Sequence, residues 1–456
     1  MAGERSSPHG LWSGRWAFFL AATGSAIGLG NIWKFPYITG ENGGGAFVLV
    51  YLLAIAIIGL PVMMAEVMLG RRGRHSPVNT LRILAREDGA SPLWSSVGFM
   101  GIMAGVLILS FYSVIAGWVI AYSFRMASGT FNGMTSTDVA TIFNQLITDP
   151  EKMLAWHTIF LVVTMLIVAN GVRSGLERAV RYLIPALFLL LLVLLWFSAQ
   201  TGEPFSKGLH FLFYPDFSKL TANGALIALG HAFFTLSLGM GAIMTYGAYL
   251  PRRHSIIKSV VVIAIVDTVV ALMVGLVIFP IVFANNLPPD SGPGLIFQTL
   301  PLAFGYMTNG AIWGTLFFVM LIFVSWTSAI SLIEPAVAWL IESRKISRVR
   351  ASVWIGSSVW LLGLGTIFSF NILSSEPYQV FGMNFFDLLN YLVSNIMLPL
   401  GGLFVAIFVG WSLNKSSSRD EMGDSRGYRI WFFMLRYISP VALIIVFLNA
   451  IGAIKL

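Results

Sequence analysis

Residues 24–45 read Gly24-Ser25-Ala26-Ile27-Gly28-Leu29-Gly30-Asn31-Ile32-Trp33-Lys34-Phe35-Pro36-Tyr37-Ile38-Thr39-Gly40-Glu41-Asn42-Gly43-Gly44-Gly45. They continue an apolar run that starts near Arg15, so a stretch long enough to cross a bilayer is interrupted in its middle by glycines. Backbone freed at membrane depth has no water to bond, and it is tolerated only where it is buried in protein or lines a cavity. Carbonyls released at Gly24, Ala26 and Ile27 suit a small cation. The amides of Gly28, Leu29 and Gly30 open a new half-helix whose positive end suits a carboxylate. The competing reading is close helix packing through small residues.

A second interruption, Ser237-Leu238-Gly239-Met240-Gly241, lies inside another apolar run. Windows of spanning length give about eleven crossings. They run from Arg15 to Thr39, Ala46 to Leu69, Ser96 to Tyr122, Met153 to Asn170, Val180 to Ala199, Asn223 to Tyr249, Ile256 to Ala284, Ala311 to Ile341, Val353 to Phe370, Phe385 to Leu413 and Ile430 to Ala450. An odd number of crossings separates the two breaks, which turns the second copy upside down relative to the first. The expected fold is an all-α polytopic membrane protein, a 5+5 inverted-repeat transporter with broken helices 1 and 6 and its site near the bilayer midplane. The corresponding divisions are 1–14, a cytoplasmic segment; 15–199, the first repeat; 200–222, an extracellular loop; 223–413, the second repeat; 414–429, a cytoplasmic loop; and 430–456, the last helix. The first run is long, glycine-broken and without a small-residue cleavage site, so it reads as part of the mature fold.

Composition agrees. Of 456 residues, 57% are hydrophobic and 11% charged, against about 25% charged in soluble domains. The absence of cysteine removes disulfides, thiolate metal sites and cysteine nucleophiles. The net charge of +8 sits in alternate short loops rather than in a nucleic-acid-binding face. Arg71, Arg72, Arg74, Arg82 and Arg86 form the first such group; Arg173, Arg178 and Arg181 the next; then Arg252, Arg253 and Lys258; Arg344, Lys345, Arg348 and Arg350; and Lys415, Arg419, Arg426 and Arg429. The other loops carry Glu41, Asp138, Asp149, Glu151, Asp290 and Glu376. The positive-inside rule then puts the N-terminus in the cytoplasm and the C-terminus outside a multi-pass protein of the inner (plasma) membrane. There is no GxxxxGK[ST] loop, HExxH or GxSxG, so neither ATP-driven transport nor enzyme chemistry is expected. A channel or amino-acid sensor is the alternative, although Lys415 to Arg429 is too short for a signalling domain.

Oxygen-bearing side chains punctuate the apolar helices at Asn31, Thr235, Ser237, Asp267, Thr327 and Ser328. Hard cations prefer oxygen ligands. A carboxylate inside Ile263-Ala264-Ile265-Val266-Asp267-Thr268-Val269-Val270 costs about 2.5–3.5 kcal/mol at a helix centre, which makes Asp267 a functional candidate by default.

The run from Gly24 to Gly45 resembles the first-helix signature of the neurotransmitter:sodium symporter family. The resemblance continues through Gly59-Leu60-Pro61, Glu66, Gly70-Arg71, Phe111-Tyr112, Trp118, Phe234 to Gly241 and Thr327-Ser328, nearly the whole chain. It implies two co-transported sodium ions. One is held by the Ala26 carbonyl, Asn31, Thr235, Asp267 and the substrate carboxylate; the other by carbonyls of Gly24, Ile27 and Val324 with the hydroxyls of Thr327 and Ser328. It implies a substrate pocket of Ser25, Ala26, Gly28, Leu29, Gly30, Ile108, Tyr112, Phe234, Ser237, Met240, Ser328 and Leu332. There Tyr112 would hold the carboxylate, and carbonyls near Ala26, Phe234 and Ser237 the amine. Monoamine-carrying members have aspartate where Gly28 stands, so a hydrophobic L-amino acid is the expected substrate. Met240 replaces an aromatic of the leucine-carrying bacterial members and can repack around aliphatic and aromatic side chains.

Asp267 departs from the family's asparagine. Ala271 supplies neither the serine of chloride-dependent members nor the glutamate of the leucine-carrying ones, so a fixed carboxylate at Asp267 in place of chloride is expected. His231 stands where a glutamine is usual. The resemblance also implies an outer gate of Lys34 with Asp387, under which Phe234 and Tyr112 form a lid. The inner gate contains Trp12, Tyr249, Glu334 and Glu342, with His9 where the family has arginine. Gly175 and Pro185 match a pattern in which the fifth crossing unwinds, and Glu66 is expected to satisfy backbone at the sixth-helix break. The usual twelfth crossing is missing, which leaves no basis for expecting the family's dimer contacts.

Overall fold

The computed structural model describes residues 5, 7–287 and 294–454; Asp290 lies outside them. Apart from two isolated bridges, regular structure among the described residues is helical. The first crossing consists of α1 (Arg15–Ala26) and α2 (Phe35–Glu41), joined through a π-turn at Gly30–Lys34. Then come α3 (Gly45–Gly73), α4 (Pro92–Ala127), α5 (Pro150–Ala169) and α6 (Val172–Ala199). The sixth crossing is again a pair, α7 (Ala222–Thr235) and α8 (Ala242–Ala248). It is followed by α9 (Ile256–Ala284), α10 (Gly310–Arg344), α11 (Arg348–Ser369), α12 (Phe385–Ser412) and α13 (Arg426–Ala450). Among the described residues, nine of these are unbroken and long and apolar enough to cross a membrane. The two interrupted pairs complete the set.

The first break is narrower than the glycine run suggests. In a continuing helix the Gly28 N–H would bond the Gly24 carbonyl; instead it donates to Oδ1 of Asn31 at 3.3 Å. Asn31 N–H turns back to the Gly28 carbonyl at 3.1 Å. Ile27 is extended, with ψ 96°. Helix is therefore lost over Ile27–Gly28 rather than over the whole of Gly24 to Asn31, and the carbonyls of Gly24 and Ile27 are left without helical donors. The second break is wider and depends on left-handed backbone at Ser237 (φ 56°), Gly239 (φ 80°) and Gly241 (φ 74°). A Cβ on Gly239 would lie 2.5 Å from the Leu398 carbonyl, so the break is pressed directly onto α12. Oε1 of Glu66, buried in α3, accepts the Gly239 N–H at 2.7 Å. The Ser237 hydroxyl donates to the Ser25 carbonyl at 2.8 Å, bringing the two breaks face to face.

Two expectations about the helices need correction. Helix α6 begins at Val172, not Val180, and runs on through Pro185 with no unwound stretch. The N–H groups of Gly175 and Leu176 both bond the Gly171 carbonyl, at 3.1 and 3.0 Å, closing a π-turn where unwinding was expected. The segment 200–222, read as loop, contains the helix Glu203–Phe213. Further helices lie between crossings at Pro77–Glu87, Ser136–Ile147, Leu295–Tyr306 and Lys415–Met422. The helix Ser136–Ile147 opens on a capping box in which the Thr135 hydroxyl and N–H hold the Asp138 carboxyl below its usual range.

Helix α8 is held against α3 by missing side chains. A Cβ on Gly70 would fall 1.8 Å from the Met244 carbonyl, and one on Gly247 would fall 2.6 Å from that of Val67. Because backbone on both sides is fixed, Gly70→Ala is expected to destabilise by at least about 1–3 kcal/mol. A lowered melting temperature of the detergent-solubilised protein checks this; an unchanged value would mean that α3 and α8 can separate freely.

Candidate ion and substrate site

The two breaks bring two clusters of oxygen together. In the first, Nδ2 of Asn31 donates to Oδ1 of Asp267 at 2.8 Å. The Thr235 hydroxyl lies 3.0 Å from Oδ1 of Asn31 and 3.3 Å from Oδ2 of Asp267. Asn31 and Asp267 are fully buried. These donors are neutral, so the structure surrounds the Asp267 carboxylate with hydrogen bonds but supplies no cation at bonding distance among the described residues. In the second cluster, the Ser328 hydroxyl on α10 lies 3.2 Å from the Ile27 carbonyl and 3.5 Å from that of Gly24. Thr327 donates to the Val324 carbonyl at 2.9 Å.

Between the clusters is a cavity of about 170 Å³. Ser25, Ala26, Gly28, Leu29, Gly30, Ile108, Tyr112, Phe234, Ser237, Met240, Ser328 and Leu332 all line it, as do Asn31 and Thr235. Asp267 stands behind Asn31 and Thr235. One side is polar, made by the breaks, and the other is apolar, made by Ile108, Met240 and Leu332. The Tyr112 hydroxyl is buried and makes no hydrogen bond of normal geometry among the described residues. The cavity continues past Phe234 to Trp33, Tyr37, Phe111, Ile115, Phe386, Asn390 and Ser394. Of these, Trp33 and Tyr37 lie in the first-helix run and Phe111 beside Tyr112 in the third crossing, while α12's contribution carries no local sequence signal.

His231 is also buried, stacked at 5.9 Å on Phe35 and 5.5 Å from Tyr51, and neither ring nitrogen is bonded. It lies outside the lining of the main cavity. Ala271 is likewise buried.

The proposed outer gate is not closed. Lys34 and Asp387 form no ion pair; the Lys34 ammonium sits over the Phe234 ring, 5.0 Å from its centroid. At the opposite end, Trp12 is buried, donates to the Tyr246 carbonyl at 3.2 Å and packs edge-on against Tyr246 and Tyr249. The Tyr249 hydroxyl donates to Oε1 of Glu334 at 2.8 Å. His9 does meet Glu342, at 2.8 Å, and the same carboxylate accepts the Ser76 N–H at 2.8 Å and the Asn79 amide at 2.7 Å.

Sequence reasoning missed two partners here. Arg348, counted as a topology charge, pairs with Glu334 and donates to the Val168 carbonyl at 2.7 Å. Glu177 at the start of α6 accepts both the hydroxyl and the N–H of Ser13. Neither lies in a motif, and both sit in charged, polar stretches between the apolar runs, where a single charge carries no signal.

Residues 9–138 and 134–455 match the model of the sodium:neurotransmitter symporter family. The chain belongs to that family. It is 38% identical to an uncharacterised sodium-dependent transporter of Bacillus subtilis, YhdH, over 97% of this chain and 98% of the relative. The human sodium- and chloride-dependent GABA transporter 2 is 25% identical over 92% of this chain and 76% of its own length. Among solved structures, MhsT in complex with L-phenylalanine superposes with a TM-score of 0.88 at 42% identity, covering 97% of this chain and 99% of that one. This symporter-family chain is thus a sodium-dependent, multi-pass transporter with the broken-helix fold, and not an enzyme.

The His9–Glu342 cluster ties the N-terminal segment to α10 at the end of the molecule that carries Trp12 and Tyr249, so removing the carboxylate is expected to loosen that end. In a chain without cysteine, Thr245→Cys introduces one buried thiol on α8. Adding Glu342→Ala is expected to speed its alkylation roughly tenfold, the equivalent of about 1.4 kcal/mol; an unchanged rate would show that the cluster does not hold this end shut.

Proposed function

We propose that this symporter imports hydrophobic L-amino acids, aliphatic and aromatic, by alternating access, each coupled to two sodium ions and without chloride. The observation that carries this reading is the single cavity between two oxygen clusters, half backbone-polar and half apolar. MhsT, with its L-phenylalanine, supports the substrate class. Gly28 leaves space for a carboxylate that an aspartate there would fill, since a Cβ at Gly28 already lies 3.0 Å from the Ser328 hydroxyl. The buried Tyr112 hydroxyl is suited to that carboxylate, and the carbonyls near Ala26, Phe234 and Ser237 to the amine.

One sodium ion is assigned to Ala26, Asn31, Thr235, Asp267 and the substrate carboxylate, and the second to Gly24, Ile27, Val324, Thr327 and Ser328. At 100 mV each charge supplies about 2.3 kcal/mol. Two ions therefore concentrate a neutral zwitterion roughly a thousandfold from the voltage alone. The arginine-rich ends are assigned to the cytoplasm, with the residues before Arg15 inside and those after Ala450 outside. Trp12, Tyr249, Glu334 and Glu342 then form the closed inner gate, and Lys34 with Asp387 the outer gate that closes over substrate beneath Phe234 and Tyr112.

In proteoliposomes, an inward sodium gradient is expected to drive accumulation of radiolabelled leucine and tryptophan, and Asp267→Ala to reduce it to the empty-vesicle level. Equal sodium-independent equilibration by both proteins would instead indicate a facilitator, and binding without uptake a sensor. Exchanging chloride for gluconate should leave the wild-type rate within about twofold, as the fixed Asp267 charge requires; a collapse would refute anion independence. Tyr112→Phe should raise the half-saturating substrate concentration about 10–100-fold, the range for a hydrogen bond to a charged group. No change would remove Tyr112 from carboxylate binding.

A further inference from the structure

The membrane-facing side of the molecule carries a second, separate concavity of about 340 Å³, a groove between α5 and α11 lined by Leu161, Met165, Ala169, Val353, Ser357 and Trp360. Both ends are stitched shut. Arg348 donates to the Val168 carbonyl at one end, at 2.7 Å, and the Trp360 indole donates to the Thr158 hydroxyl at the other, at 2.9 Å. From Val349 to Trp360 the groove follows α11 for about 17 Å at 1.5 Å per residue, close to the roughly 15 Å of one hydrocarbon leaflet. Ser352 also lines it, 1% exposed, and its hydroxyl has no hydrogen-bond partner among the described residues. This hydroxyl lies one helical turn inside the start of α11, about 6 Å along the axis.

The end closed by Arg348 is also basic. Arg344, Lys345 and Arg350 are exposed there and make no ion pair among the described residues, while the nearby acids Glu334 and Glu342 are committed to Arg348 and His9. We infer that the groove between α5 and α11 retains one anionic phospholipid, its acyl chain lying between Met165 and Val353, an ester oxygen reaching Ser352, and its headgroup held by Lys345 and Arg350. The apolar walls provide the chain's contact area. The charges select the headgroup, since basic residues beside a membrane attract anionic over zwitterionic lipid.

Native mass spectrometry of the full-length protein, titrated with phosphatidylglycerol or with phosphatidylcholine of the same chains, tests this. The expected result is at least fivefold more bound phosphatidylglycerol than phosphatidylcholine. Ser357→Trp, filling the groove from an exposed position, should remove both adducts. The double variant Lys345→Glu, Arg350→Glu should bring phosphatidylglycerol down to the phosphatidylcholine level. Val353→Trp, at a residue 61% exposed, replaces Ser357→Trp if that protein melts below wild type. Equal adducts of both lipids, unmoved by the variants, would overturn the proposal. So would a detergent-stable dimer, seen by light scattering, that Ser357→Trp splits, because the groove would then be an interface between copies.

Discussion

Peptide groups released from a helix in the middle of a bilayer must find protein partners, and this constraint shapes the whole molecule. Each unmet group costs several kcal/mol in hydrocarbon. Glu66 and Asn31 therefore take up the loose N–H groups of Gly239 and Gly28, while Ser237 and Ser328 reach loose carbonyls on the first crossing. Every one of these bonds joins residues of different helices or spans a break, so satisfying the backbone also fixes the tertiary arrangement. What remains after this pairing is a surplus of oxygen aimed inward, together with a carboxylate at Asp267 that its neutral neighbours cannot neutralise. A buried carboxylate of that kind calls for a counter-charge or a proton. In the function proposed above, the sodium ion assigned to Asn31, Thr235 and Asp267 supplies the counter-charge, which is the physical basis of the proposed coupling.

The opposite ends of the molecule differ in how they are held. One end is tied by Trp12, Tyr249, Glu334, Arg348, His9 and Glu342, largely shielded from solvent, with the exposed Ser13 bonded to the buried Glu177. The other has a lysine resting on an aromatic ring, with its acidic counterpart unpaired. Buried charge-assisted bonds gain strength from the low dielectric around them and become costly when one partner leaves. The tied end therefore has to exchange its bonds for others before it can part, whereas the open end has little to give up. Retention of helix through Pro185 belongs to the same state, since the N-terminal segment still bonds the first turns of α6 through Ser13 and Leu11.

Much of this was readable in the chain before any coordinates. The ends expected for Ile256–Ala284 coincide with α9 because its apolar run stops abruptly at Ser255, which caps the helix, and at Asn285. The expected starts of α11 and α13 fell several residues short, since both helices open on arginines that hydropathy excludes but that interfacial positions tolerate. The cavity-lining residues at the two breaks carry an unusual local signature, whereas Ile108, Tyr112, Ser328 and Leu332 on unbroken helices were placed in the pocket only through the family resemblance. Arg348 and Glu177 were not legible, because the contact of Arg348 with Glu334 across the turn between α10 and α11 and that of Glu177 with Ser13 in the N-terminal segment leave no periodicity in the sequence. The unpaired state of Lys34 and Asp387 was illegible for a different reason: it is a property of one conformation, and one sequence encodes all of them.

Asn31 gives a last insight into how tightly composition is constrained here. Its carbonyl oxygen accepts from both the Gly28 backbone and Thr235, while its amide nitrogen donates to Asp267. No other side chain of this size offers an acceptor and a donor on one rigid planar group. Aspartate would retain the acceptor but set two carboxylates against each other, leucine would keep the volume and lose both functions, and glutamine would carry the amide a carbon too far. The position thus behaves as a logical conjunction, met when backbone break and buried acid are present together, and an exchange there cannot be repaired by compensating change on one side alone.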